Sequence, residues 1–146
     1  MSQNPYSNNV LLNLGIQSLN KMQEAAQKAI LNEENVLLLS PTGSGKTLAF
    51  LLPIFQLLEE EVKGVQCLIL VPSRELGLQI EQVWKKMGTH YKVNTCYGGH
   101  SIETEFKNLS NPPALLIGTP GRIADHIERG SFATENVKTY VLDEFD

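Results

Sequence analysis

Val36-Leu-Leu-Leu-Ser40-Pro-Thr-Gly-Ser-Gly-Lys-Thr47 decides the reading of this chain, because an apolar run passes straight into a glycine-rich turn that ends in Lys46-Thr47. Four apolar residues from Val36 to Leu39 have the length and composition of a buried strand. The residues after Thr47 are apolar almost all round, with Leu48, Phe50, Leu51, Leu52, Ile54, Phe55, Leu57 and Leu58, which predicts a deeply covered helix from Lys46 to about Glu61. Pro53 should bend that helix or end it early. Strand, glycine turn and helix in this order make a phosphate-binding loop. Gly43 and Gly45 let backbone N–H groups turn inward, the helix N-terminus adds partial positive charge, and Lys46 brings a full charge to the terminal phosphates. Thr47 can offer its hydroxyl to magnesium. Ser40 stands where the general pattern has glycine, one small residue for another.

Outward from this stretch, short apolar runs alternate with longer helical patterns. Cys67–Val71, Val93–Cys96, Ala114–Ile117 and Tyr140–Leu142 read as further strands. The rhythm predicts βαβ units, hence an α/β fold with a mostly parallel sheet flanked by helices on both faces. An amphipathic helix is expected over Asn20–Leu31 with Asn20 as its cap, and a second between Pro72 and Lys86. Residues 1–31 form an N-terminal segment and helix, and residues 32–146 form the nucleotide-binding domain.

At the far end the apolar strand Tyr140–Leu142 runs into Asp143-Glu-Phe-Asp146. Open α/β sheets bind ligands at the carboxyl ends of their strands, so these carboxylates are well placed for chemistry. Asp143 can hold magnesium through water, and Glu144 can orient or deprotonate the attacking water. With the phosphate loop upstream, the pair reads as the acidic half of a site for ATP and Mg2+.

The chain is 146 residues long and 42% hydrophobic, enough for one sizeable core. Twelve basic against sixteen acidic residues give a net charge of -4, so a nucleic-acid partner must be held locally and not by a global positive field. Cys67 and Cys96 lie in strand-like runs without metal or redox spacing and are expected to be reduced core thiols. His90, His100 and His126 lack ligand spacing and are expected at the surface or in loops. No apolar run approaches a membrane span, and a cytoplasmic location with no membrane partner is expected.

Several segments together resemble the DEAD-box ATP-dependent RNA helicases, over nearly the whole chain. Asp143-Glu144-Phe145-Asp146 stands where that family has Asp-Glu-Ala-Asp. Pro72-Ser73-Arg74-Glu75-Leu76 is similar to its Pro-Thr-Arg-Glu-Leu, Gly98-Gly99 to its glycine doublet, and Thr119-Pro120-Gly121-Arg122 matches its Thr-Pro-Gly-Arg without change. Leu19-Asn-Lys-Met-Gln23 stands where the family has Pro-Thr-Pro-Ile-Gln, and Tyr6 lies upstream where it places an aromatic residue, so this segment resembles the adenine-reading Q motif. An amide that both donates and accepts suits an adenine edge, and an aromatic ring stacks on the base.

The resemblance implies a RecA-like P-loop fold. ATP would be bound by Tyr6, Gln23 and the loop residues Pro41, Thr42, Gly43, Ser44, Gly45, Lys46 and Thr47. Catalysis would rest on Lys46, Asp143 and Glu144, with magnesium at Thr47 and Asp143. It also implies single-stranded or duplex RNA held by its backbone at Pro72, Ser73, Arg74, Gly98, Gly99, Thr119, Pro120, Gly121 and Arg122. Read locally, Ser73 and Thr119 are helix caps and Gly98-Gly99 is a turn, but free N–H groups at such places also bind phosphodiesters. The family continues with a Ser-Ala-Thr motif and a second RecA-like domain, so the chain is expected to be an N-terminal part of a motor, with little turnover on its own. The strand leading to Ser-Ala-Thr lies in that family between the phosphate-loop strand and the acidic-motif strand. Its absence predicts an unfilled position, closed by further sequence, a partner chain in a dimer, or strand exchange. Two other readings share the phosphate loop and acidic pair: a DNA-directed relative, and a non-catalytic ATP- or RNA-binding module. Gln23, Pro72–Leu76 and Thr119–Arg122 argue against the first.

Overall fold

A computed structural model of the chain describes residues 8–99 and 101–144. Tyr6, His100, Phe145 and Asp146 lie outside the described residues. The chain divides into two compact units. The first runs up to Leu57 and includes Val83–Thr89, and the second comprises Leu58–Gln82 and the residues from His90 onward.

The first unit holds helices α1 (Asn8–Leu14), α2 (Lys21–Asn32) and α3 (Lys46–Leu57) with the last turn of α4 (Arg74–Met87). α1 lies ahead of the expected Asn20–Leu31 helix; it forms because Val10 and Leu11 find cover, and Asn13 Nδ2 donates to the Met87 carbonyl at 3.1 Å. α2 starts on a capping box, in which Asn20 Oδ1 accepts the Gln23 N–H at 2.8 Å and Gln23 Oε1 accepts the Asn20 N–H at 3.0 Å. It packs against α3, whose Leu51, Leu52 and Ile54 are fully buried. α3 continues past Pro53 to Leu57 and stops short of Glu61. Trp84 is buried edge-on to Phe55, with ring centroids 6.2 Å apart.

The second unit is built on a parallel sheet of four strands, β1 (Cys67–Leu70), β2 (Val93–Cys96), β3 (Leu115–Gly118) and β4 (Thr139–Leu142), in the order β2-β3-β1-β4. Cys67 pairs with both Leu115 and Thr139, and Val93 with Leu115, so all four strands start and end level. Side-chain alternation divides the core. Leu68, Cys96 and Leu116 pack with Val65, Leu109, Ile123 and Phe132, which brings α5 (Ile102–Asn108) and α6 (Pro120–Arg129) to one face. On the other face α4 comes close through Gly77, where an added Cβ would meet Thr95 at 3.1 Å and Ile117 at 3.6 Å. The expected parallel α/β layering, with helices on both faces, is present in this unit alone.

One expected strand is missing. Val36–Leu39 forms no ladder, and Leu37 and Leu39 are each 83% exposed. A strand is held by hydrogen bonds to its neighbours, and an unpaired extended run has no such support however apolar it is. Among the described residues no strand pairs with it. Among the described residues β4 is the last strand on its side of the sheet, and its Tyr140 and Leu142 are exposed. Among the described residues no helix is long and apolar enough to cross a membrane.

Gly118 tests the packing of the second unit, because an added Cβ would lie 2.9 Å from the Cys96 carbonyl oxygen and 2.4 Å from Ile123 Cδ1. Gly118→Ala should lower stability by about 1–3 kcal/mol, read as a lower midpoint in urea unfolding. An unchanged midpoint would contradict this close approach of β2, β3 and α6.

Candidate functional site

The phosphate loop lies in the first unit. Ser44 N–H donates to the Pro41 carbonyl at 3.3 Å, and the Ser40 and Ser44 hydroxyls are hydrogen-bonded to each other, so the serine that replaces glycine closes the turn. Gly43 and Gly45 take φ of +82° and +87°, the left-handed region that glycine enters without penalty. α3 starts at Lys46, and Pro41, Thr42 and Gly43 are exposed. Two left-handed glycines leading into a helix N-terminus form a cradle of N–H donors that suits a polyphosphate.

Asn20 and Gln23 hold the shape of this loop. Asn20 Nδ2 donates to the Ser44 carbonyl at 3.1 Å, and Gln23 Nε2 to the Gly45 carbonyl at 3.1 Å. In a planar trans peptide the C=O and the following N–H point in opposite directions. Anchoring the Ser44 and Gly45 carbonyls on α2 therefore turns the N–H groups of Gly45 and Lys46 away from it. Gln23 is only 6% exposed, and an added Cβ at Gly45 would lie 2.5 Å from its Nε2, so glycine is needed for contact as well as conformation. The Gln23 amide keeps a second N–H and a second lone pair beyond its bonds to Gly45 and Asn20. Sequence reading gave Gln23 to adenine and missed its grip on the loop; the capping spacing from Asn20 to Gln23 was the available signal.

The second unit gathers the other motifs along one edge, at the carboxyl ends of its level strands. β1 leads into Pro72-Ser73-Arg74, where the Ser73 hydroxyl accepts the Leu76 N–H at 3.3 Å and caps α4. β2 leads through Tyr97 to the exposed turn Gly98-Gly99, with Gly99 at φ +86°. β3 leads into Thr119 at the N-cap of α6, with Pro120 at its first turn; the Thr119 hydroxyl makes no capping bond, and its N–H donates to the Cys96 carbonyl at 3.2 Å. β4 leads into Asp143, which is buried and whose N–H donates to the Leu70 carbonyl at 3.0 Å. Glu144 is exposed at φ +56°, a left-handed conformation that non-glycine residues hold uncommonly and that His90 shares at φ +61°. The Arg74 guanidinium lies 5.0 Å over the Tyr97 ring, joining the first two of these turns. The phosphate-loop residues fall in one unit, and Arg74, Gly98, Gly99, Thr119, Arg122, Asp143 and Glu144 in the other.

His126 corrects one expectation. It is not at the surface but fully buried on α6, where it follows Ile123 by one helical turn on the core-facing side. Its Nε2 lies 2.9 Å from Glu105 Oε1, and its Nδ1 lies 2.8 Å from Ser131 Oγ. Glu105 is 2% exposed; its Oε2 accepts the Tyr97 N–H at 3.0 Å, and its Oε1 lies 3.6 Å from Arg122 Nε. Sequence reading missed Glu105 because a glutamate in a charged helix reads as solvated. Donor atoms of Cys96, Glu105 and His126 lie within 4.8 Å of one another. Burial, followed by the Glu105 charge, pushes the Cys96 thiol up to about 12, and the Glu105 oxygens are already engaged, so the cluster reads as a hydrogen-bonded network and not a metal centre. Cys67 and Cys96 are both free thiols in the core, as expected, and His90 is exposed beside Glu60.

Comparison with known proteins agrees with this arrangement. The DEAD/DEAH box helicase family pattern matches residues 20–146. The chain is 37% identical over 134 residues to the ATP-dependent RNA helicase CshA of Limosilactobacillus reuteri, covering 90% of this chain and 27% of that protein. It is 39% identical over 135 residues to the probable ATP-dependent RNA helicase YfmL of Bacillus subtilis, covering 90% and 36%. The crystal structure of a DEAD box protein from the hyperthermophile Methanococcus jannaschii superposes with a TM-score of 0.84 at 35% identity, covering 93% of this chain and 39% of that one. The chain thus spans about a quarter to a third of the length of these curated relatives. With the ordered motifs, the level carboxyl edge and the family match in agreement, the chain belongs to the DEAD/DEAH box helicase family.

Proposed function

We propose that the whole protein is an ATP-dependent RNA helicase, and that this chain supplies the ATP-binding part of its first RecA-like domain. One observation carries the reading. Three turns able to hold a nucleic-acid backbone and the Asp143-Glu144 turn leave the same edge of one parallel sheet, while a glycine cradle opens a helix at Lys46. ATP is the substrate of that cradle. Pro41 to Gly45 wrap its phosphates, Lys46 neutralises their charge, and the Thr47 hydroxyl serves magnesium. In the second unit Asp143 serves magnesium through water and Glu144 orients the attacking water. Magnesium, when bound, supplies positive charge against the phosphate oxygens. Gln23 reads adenine with its remaining donor and acceptor, and Tyr6 stacks on the base.

RNA is the polymer substrate, held through its backbone by Pro72-Ser73-Arg74, Gly98-Gly99 and Thr119-Pro120-Gly121-Arg122. These N–H groups and guanidinium groups bind phosphodiesters without reading bases, and contacts to 2′-hydroxyls select RNA over DNA. Local grip of this kind suits a chain of net charge -4. ATP binding closes this domain on a second one, bends the bound strand and opens short duplexes; hydrolysis releases the RNA. The outer edge of β4 suits pairing with another strand, whether from the same protein or from a second copy in a dimer or strand exchange. Buried, reduced cysteines fit a cytoplasmic setting.

Lys46→Ala and Glu144→Gln in the whole protein test the assignment of roles. Both should abolish ATP turnover, with nucleotide binding weakened by the first and kept by the second; near-normal hydrolysis by either variant contradicts it. Gln23→Ala should also act on two levels. Losing the capping box should cost about 1 kcal/mol of stability, and releasing the Gly45 carbonyl should weaken ATP binding while narrowing the preference for ATP over GTP. Unchanged affinity for both nucleotides, measured by calorimetry, would remove Gln23 from the site.

A further inference from the structure

The Glu105 carboxylate is the point at which the second unit's backbone-binding turns are tied together. It sits in the first turn of α5, soon after Gly98-Gly99, and reaches back to accept the Tyr97 N–H at the entrance of that glycine turn. The same carboxylate faces α6 through His126 Nε2 at 2.9 Å and Arg122 Nε at 3.6 Å, and Arg122 closes the Thr119–Arg122 motif. Tyr97, whose N–H it holds, carries Arg74 of the third motif over its ring. An ionised carboxylate only accepts, so the His126 ring presents its Nε2 proton to Glu105, and the Ser131 hydroxyl at Nδ1 fixes the ring from behind.

Among the described residues, a Cβ added at Gly98 or Gly99 would meet nothing within 4 Å, so side-chain packing at these two positions does not fix the turn. Its position is therefore set by the strand before it and by what its entrance is bonded to. Successive phosphates are held well only where the donor turns keep a fixed spacing, and side chains at such sites need support from packed, hydrogen-bonded neighbours. Glu105 gives that support from the buried side, at 2% exposure and out of reach of a bound strand.

We infer that Glu105, braced by His126 and Ser131, is a positioning residue for RNA: it locks Gly98-Gly99 and Arg122 at the spacing that grips a phosphodiester backbone. This rests on the RNA reading proposed above. Loss of the charge on Glu105 loosens the spacing between the two motifs while leaving the phosphate loop, in the other unit, intact. The consequence is specific to the RNA side of the reaction.

The test uses Glu105→Gln, which keeps the side chain's shape, in the whole protein. Affinity for a fluorescent oligouridine is measured with steady-state ATP hydrolysis and a thermal melt. Losing charge-assisted bonds from one buried acceptor should weaken oligouridine binding by about tenfold or more. The KM for RNA should rise to match, while kcat at saturating RNA and affinity for ATP stay as in the unsubstituted protein. Ser131→Ala, which removes only the brace on His126, should shift binding in the same direction by a few-fold. If Glu105→Gln does not fold, Ser131→Ala decides. Unaltered oligouridine binding by a folded variant overturns the inference, as does a parallel loss of ATP affinity, the mark of a merely structural role. If the unsubstituted protein binds no oligouridine, the RNA reading fails, and this inference falls with it.

Discussion

The level register of four parallel strands is the constraint from which the rest of the second unit follows. Leu70 pairs with both Gly118 and Leu142, and Cys96 with Gly118, so each strand releases the chain at the same height. A parallel ladder forces a crossover after each strand, and the crossovers here are helices on both faces. Every strand-to-helix turn must then leave from one edge, with backbone N–H groups of the new helix or glycine turn near the sheet. A sequence with no overall positive charge thereby gathers N–H donors, two arginines and two carboxylates in one place. Gly118 shows how closely the layers approach, since β2, β3 and α6 leave no room for even a methyl group there.

Both the loop in the first unit and the turns in the second are held by side chains that sequence patterns hide. Asn20 and Gln23 spend their amides on the carbonyls of Ser44 and Gly45 and so aim the neighbouring N–H groups. Glu105 spends its carboxylate on Tyr97, His126 and Arg122. Open glycine turns are flexible by composition, and hydrogen bonds from polar side chains packed behind them give them one shape.

Local chemistry was the legible part of the sequence. The glycine turn leading into the Lys46 helix, the Asn20 and Ser73 caps and the strands from Cys67, Val93, Leu115 and Thr139 depend on residue type and short spacing, and they appear where expected to within a residue or so. Val36–Leu39 forms no strand among the described residues because a strand is a property of its neighbours as much as of its own residues, and apolar character alone does not supply a paired neighbour. α1 escaped notice because its two buried residues, Val10 and Leu11, give no full helical period. His126 and Glu105 lie far apart in sequence and read as separate polar residues on charged helices. Only the packing of α5 beside α6 joins them, and that contact is not written in either segment.

The most direct test is steady-state ATP hydrolysis by the whole protein with no nucleic acid, with single-stranded RNA, and with single-stranded DNA of matched sequence. The account predicts a low basal rate that RNA raises and DNA does not. Equal stimulation by DNA would contradict the RNA assignment, and absence of turnover under all three conditions would contradict the reading of the protein as an ATP-driven motor.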